Sequence, residues 1–167
     1  MSYQELIEKR FSVRSYKRDP VEKEKLDLIL EAARLAPTAA NRQAFKIAVI
    51  STEGREEELK RIYGRDWFVQ APIILAVFSV PEKSWVRSDG ANYSDVDAAI
   101  VMDHVILAAT SLGLGTCWIG AFNPQAAKEV IGLGEGHEPV AFTPIGYSDA
   151  EPRPKQRKPL EEIVVHV

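Results

Sequence analysis

The run VDAAIVMDHVILAATSL, Val96 to Leu112, constrains the fold more than any other stretch. Its 17 residues approach the length of a membrane span. They also carry Asp97, Asp103 and His104, which are costly groups inside a bilayer. No membrane span is therefore expected. With apolar residues on most sides, the segment reads as a helix buried in a protein core or in a subunit interface. A chain of 167 residues can enclose such a helix within one domain, so a single domain over 1–167 is expected.

Around this helix the pattern is mixed. Residues 2–10 read as a short helix. Asp19 as N-cap, Pro20 at the first helical position and Glu22 two residues later predict a helix over 20–35, with Leu26, Ile29, Leu30 and Ala33 on its apolar face. Pro37 ends it. KIAVIS (46–51) reads as a strand, GREEELKRIYG as a charged surface helix, and RDWFVQAP as a helical turn. PIILAVFSV (72–80) is a continuous apolar run of strand length, as in a central strand. Asn123 and Pro124 open a further helix to about Ile131, and VAFTPIGYS (140–148) is another strand. A last apolar β segment, IVVHV (163–167), follows a proline-rich arm beginning at 149. Such an arm can fold back on its own sheet or add an edge strand to another chain. The fold class expected is α+β, with a mainly antiparallel sheet and helices packed on it.

Several chemistries are excluded. GLGTCWIG has Trp118 where a dinucleotide-binding loop needs its third glycine, and it follows a helix. No phosphate-binding G-x-x-x-x-G-K-[ST] loop is present. His104, His137, His166 and Cys117 show no metal-ligand spacing. The lone Cys117 rules out an intrachain disulfide, fits a reducing compartment and reads as core. The N-terminal residues have no apolar signal region, so no secretory leader is expected. A net charge of −3 provides no global field for nucleic acid.

Local charge is more informative. In KRFSVRSYK, Arg10, Ser12 and Arg14 alternate, so an extended backbone turns all three to one side. Such a face can grip an anion, or it can be an ordinary solvated patch. PRPKQRKP places Arg153, Lys155, Arg157 and Lys158 within eight residues. It reads as a solvated tail, as a weak nucleic-acid arm, or as the second half of one phosphate site. APTAANRQAF (36–45) crowds hydrogen-bonding groups onto one corner. It either stops a helix or touches something.

Four motifs together resemble the nitroreductase family of FMN-dependent oxidoreductases: KRFSVRSY, APTAANRQAF, GLGTCWIGAF, and PIGY followed by PRPKQRKPLEEIV. The resemblance covers nearly the whole chain. It implies a cytoplasmic homodimer with two FMN sites in the subunit interface and the C-terminal strand exchanged between subunits. Arg10, Lys155 and Arg157 would hold the FMN phosphate, Ser12 would line the ribityl end, and Arg14 would lie along the pyrimidine side of the ring. Phe11 and Trp118 belong to the same set. Pro37, Thr38, Ala39, Asn41 and Gln43 would come from the other subunit, with Arg42 equally placed at the surface or in the site. Ile119 and Gly120 would present backbone groups to the ring, with the Gly120 N–H directed at N5. NADH or NADPH would be the co-substrate in a ping-pong reduction of nitroaromatics, quinones or similar electron-poor small molecules. No catalytic side chain and no metal are required; Arg14 and Gly120 tune the ring. A flavin-storage protein, or another flavin reaction such as dehalogenation, enone reduction or flavin cleavage, shares the same motifs. Ala44 and Phe45 stand where proline and tryptophan are common in the family, and Ala39 replaces a frequent serine or threonine. The short PEKSWVRSDGANYSD connection implies an open pocket, with Trp67 and Trp85 as candidate lids.

Overall fold

A computed structural model describes residues 1–167. Along the chain come α1 (Tyr3–Lys9), α2 (Lys23–Arg34), β1 (Phe45–Ser51), α3 (Glu56–Lys60), β2 (Ile73–Ser79), α4 (Ser94–Ser111), α5 (Pro124–Ile131) and β3 (Glu138–Ile145). The sheet order is β1-β2-β3 and both pairings are antiparallel. β2 is central, as its unbroken apolar run requires, and all but Ile73 of its residues are buried.

The alternation of β2 divides the core into two halves. Leu75 and Val77 face α2 and α4, where Ile29, Ala33, Val101, Met102, Val105 and Ala109 complete one side. Ile74, Ala76 and Phe78 face the other side, under Leu59, Ile62, Phe68, Ala126 and Ala127. There Phe68, Phe78 and Phe122 all meet Phe142 edge-on, at ring separations of 6.4, 6.3 and 4.8 Å. No helix is long and apolar enough to cross a membrane.

The predicted helix starts fared differently. Asn123 caps α5, its side chain accepting the Ala126 N–H at 3.1 Å, with Pro124 in the first turn. The Asp19 cap for α2 is not formed. The helix begins at Lys23, with Glu22 at the cap position and no side-chain cap bond. The Glu22 carboxylate is engaged elsewhere: it accepts the Tyr147 hydroxyl at 2.7 Å and Lys25 Nζ at 3.2 Å. The last predicted strand does not fold back on the sheet of its own chain. Residues 163–167 pair with no strand of the chain and lie exposed after a 3-10 turn at Leu160–Glu162. A single strand needs an edge to pair with, and this segment meets neither β1 nor β3.

α4 is covered unevenly. Asp97, Ala98, Val101, Met102, Val105, Ile106 and Ala109 are buried by the rest of the chain. Val96, Ile100, Asp103, His104, Leu107 and Ser111 form a second stripe at helical spacing that is exposed or half-exposed.

Candidate functional site

The segment after α1 runs extended past the loop that leaves α4. Ser12 bridges Thr116 in parallel, and the Val13 N–H donates to Thr116 O at 2.8 Å. Val13 turns inward and is 1% exposed. It lies so close to Gly115 that a Cβ there would come within 2.8 Å of its Cγ2. The inward Val13 leaves Ser12 and Arg14 on the outer side, which is the alternation expected.

Arg10 is the C-cap of α1 and lines a cavity of about 150 Å³ with Phe11, Thr110, Gly113 and Gly115, at the C-terminal end of α4. The C-terminal arm returns to this place. Lys155 Nζ donates to the carbonyls of Ile7 and Glu8, the last turn of α1, the first at 2.7 Å. Desolvation first, and then the positive charges of Arg10 and Arg157, pull the Lys155 ammonium below the ordinary lysine range. None of Arg10, Arg14, Lys155 and Arg157 forms an ion pair with a carboxylate. Three cations from the two ends of the chain thus gather with no direct ion pair, the Glu8 carboxylate opposing their mutual repulsion only at longer range. That arrangement fits the phosphate of FMN, which brings about −1.5 to −2 charge and three acceptor oxygens.

Arg14 stands over the Trp67 ring at 6.0 Å and lines an open cleft with Tyr63, Arg65, Asp66, Trp67 and Gln70. Trp67 is therefore beside the Arg14 face. Trp85 packs edge-on to Tyr93 at 5.0 Å, next to the opposite end of α4. Cys117 is buried, as expected, but its thiol lies beside Ser12 and within the field of both Arg14 and Arg10. Burial pushes the thiol above its usual range, and the two arginines with the Ser12 bond oppose that shift. Its sequence neighbourhood gave no sign of this position.

Of the glycine-flanked segment, Trp118 is 40% exposed. The Ile119 N–H donates to Phe142 O at 2.8 Å and its carbonyl accepts Phe142 N–H at 3.1 Å, so the donor is engaged within the chain while the carbonyl keeps a second lone pair. The sheet extension along β3 uses both. Gly120 is exposed and its N–H donates to no group of the chain, so that donor is available.

The corner 37–43 lies elsewhere. Pro37, Asn41, Arg42 and Gln43 are exposed, and Thr38 and Ala39 are half-buried. Three residues without glycine's freedom have positive φ: Ala40 at 49°, Asn41 at 53° and Gln43 at 51°. Each such residue costs roughly 1–2 kcal/mol, the asparagine least. Thr38 Oγ1 accepts Gln43 N–H at 3.0 Å, and the Asp97 carboxylate accepts Ala39 N–H at 2.9 Å. The corner is therefore fixed to the N-terminal end of α4. Asp97 and Thr110 are separated along α4 by about 20 Å of helix rise, so the cation cluster and the corner stand at its two ends.

The Nitroreductase family model matches residues 7–65 and 61–147. A nitroreductase family protein of Clostridium difficile superposes with a TM-score of 0.92, 37% identity and coverage of 99% of this chain and 98% of that one. An FMN-dependent nitroreductase from the same species gives a TM-score of 0.81 at 29% identity, covering 97% and 96%. The FMN reductase (NAD(P)H) of Bacillus subtilis is 31% identical over 91% of this chain and 68% of its own length.

Proposed function

The chain belongs to the nitroreductase family, and from that premise we propose that it works as a homodimeric FMN-dependent oxidoreductase, using NAD(P)H to reduce nitroaromatics, quinones or similar electron-poor small molecules. The observation that carries the subunit arrangement is the placement of the two half-sites at opposite ends of α4. The half-exposed stripe of α4 runs the length of the helix, with Asp103 and His104 at its middle. Two copies related by a two-fold axis at that middle would cross in opposite senses. The N-terminal end of one helix, with its corner, would then approach the C-terminal end of the other, with its cations. Each pocket would be made by both chains.

Bound there, FMN supplies the redox chemistry between the nicotinamide and the electron acceptor. Arg10, Lys155 and Arg157 hold its phosphate, with Phe11 and Ser12 beside them. The exposed Gly120 N–H would be available to an acceptor of the bound flavin, with Trp118 beside it in sequence, and Arg14 would favour the negatively charged reduced state electrostatically. Pro37, Thr38, Ala39, Asn41 and Gln43 of the second copy complete the pocket. The open cleft beside Arg14 and Trp67 admits the nicotinamide and the oxidant in turn, which gives ping-pong kinetics. The exposed arm 149–167, with Leu160, Ile163, Val164 and Val165 unburied, wraps onto the second copy. A cytoplasmic location, where NAD(P)H is supplied, belongs to the same reading.

Anaerobic titration tests it. Purified protein should carry flavin absorbance that bleaches with NADH or NADPH and recovers on adding a nitroarene or a quinone. Flavin that never bleaches with either nicotinamide refutes the proposal.

A further inference from the structure

Asp97 has an enclosed oxygen that meets no hydrogen-bond donor. The residue is 1% exposed; Oδ1 accepts from Ala39, and Oδ2 meets nothing. A buried carboxylate with an unsatisfied oxygen is a costly group, and one that asks for an explanation. The bond it does make explains it. Ala39 opens the corner in which residues 40, 41 and 43 hold positive φ. Strained backbone of this kind persists only where its surroundings over-determine it. The Thr38–Gln43 bond is internal to the corner. The Asp97 bond ties the corner to α4, a rigid element of the core.

We infer that Asp97 is a positioning residue that acts across the subunit boundary: it holds the corner 37–43 in the shape offered to the cofactor pocket of a second copy of this chain. The inference rests on the shared-pocket reading above. Asp97 itself touches no cofactor. Its loss damages the pocket whose phosphate clamp belongs to the other subunit.

Mixed dimers separate this role from a merely structural one. Asp97→Ala homodimers should stay folded and bind FMN about tenfold or more weakly, which is the loss of about 1.4 kcal/mol, with an altered visible circular dichroism of the bound flavin. Asp97→Asn keeps an acceptor oxygen for Ala39 and should recover most of the affinity. Differently tagged Asp97→Ala and Arg10→Ala subunits should form a mixed dimer with one tight FMN site. Both lesions then fall in the same pocket, and the other pocket keeps an intact clamp and an intact corner. Asn41→Ala mixed with Arg10→Ala is the reference, because it tests sharing alone. If that pair regains a tight site and the Asp97→Ala pair does not, the positioning role is wrong and the shared pocket stands. If neither pair regains one, the shared pocket fails and this inference fails with it. Unchanged FMN affinity in Asp97→Ala homodimers also overturns it. Asp97→Ser, whose side chain stops short of Ala39, replaces the alanine variant if that does not fold. Failure of both to fold would make Asp97 a structural group and refute the inference.

Discussion

Lys155→Met removes one cation from the cluster and keeps the length of the side chain. In the free protein the ammonium bonds two carbonyls at the end of α1 while facing Arg10 and Arg157. Its contribution to the free fold is therefore divided: two hydrogen bonds and the Glu8 charge favour it, while desolvation and two like charges oppose it. Thermal stability without cofactor should change little. With FMN bound, the charge-assisted bond to phosphate is worth about 1.5–3 kcal/mol, or roughly 10- to 150-fold in affinity. Lys155 is exposed, and screening moves the expectation to the lower end, about tenfold. The assay is fluorescence titration of cofactor-free protein with FMN and, separately, with riboflavin, which lacks the phosphate. FMN affinity should fall and riboflavin affinity should not, and raising salt should narrow the difference between variant and parent. The pH dependence follows from the depressed Lys155 pKa. The free protein loses this proton before an ordinary lysine would, so FMN affinity should decline as pH rises through that lowered value. Equal losses for the two flavins, or no loss for FMN, would refute the assignment of the cluster to phosphate.

Three further outcomes are expected. Gly115→Ala drives a methyl to within 2.8 Å of Val13 Cγ2 and should destabilise the fold by about 1–3 kcal/mol, read as a melting temperature lower by several degrees; an unchanged melting curve contradicts the close approach. Tyr16 is buried, donates its hydroxyl to Val13 O at 3.0 Å, and has a pKa raised well above the ordinary value, chiefly by burial. A raised folded pKa gives stability that is present below the unfolded value and lost as pH rises through the folded one, so Tyr16→Phe should remove an alkaline loss of stability measured by denaturant titration. Deleting residues 160–167 should leave the core intact, since none of those residues is buried, but should shift the sedimentation coefficient from dimer toward monomer; a stable dimer with full flavin would exclude an exchanged arm.

Much of the fold was legible because single residues carried it. Val96–Leu112 announced the central helix, PIILAVFSV the buried strand, and Asn123–Pro124 a helix start. The Asp19 cap was misread because Glu22 is claimed by Tyr147, a partner 125 residues away that no local pattern reveals. The last segment pairs with no strand of its own chain, because an apolar β segment says that it needs an edge, not whose edge. The cations of the cluster were legible as alternating charges, but their convergence depends on Lys155 reaching the end of α1. In the corner, its polarity could be read and its backbone could not: alanine, asparagine and glutamine do not advertise positive φ. Asp97 looked like a charge that spoils a membrane span, and its bond to Ala39 is visible only in three dimensions. The pairing of Ile119 with Phe142, which engages the Ile119 N–H, is visible only in three dimensions.

α4 serves as a ruler. Its span sets the gap between the corner at one end and the cations at the other. Adding or removing one residue would turn everything beyond it by about 100° and shift it by about 1.5 Å, so in the proposed dimer an insertion would misalign two pockets at once. Changes of length in the 80–93 connection ahead of the helix, or in the tail behind it, would leave that spacing intact.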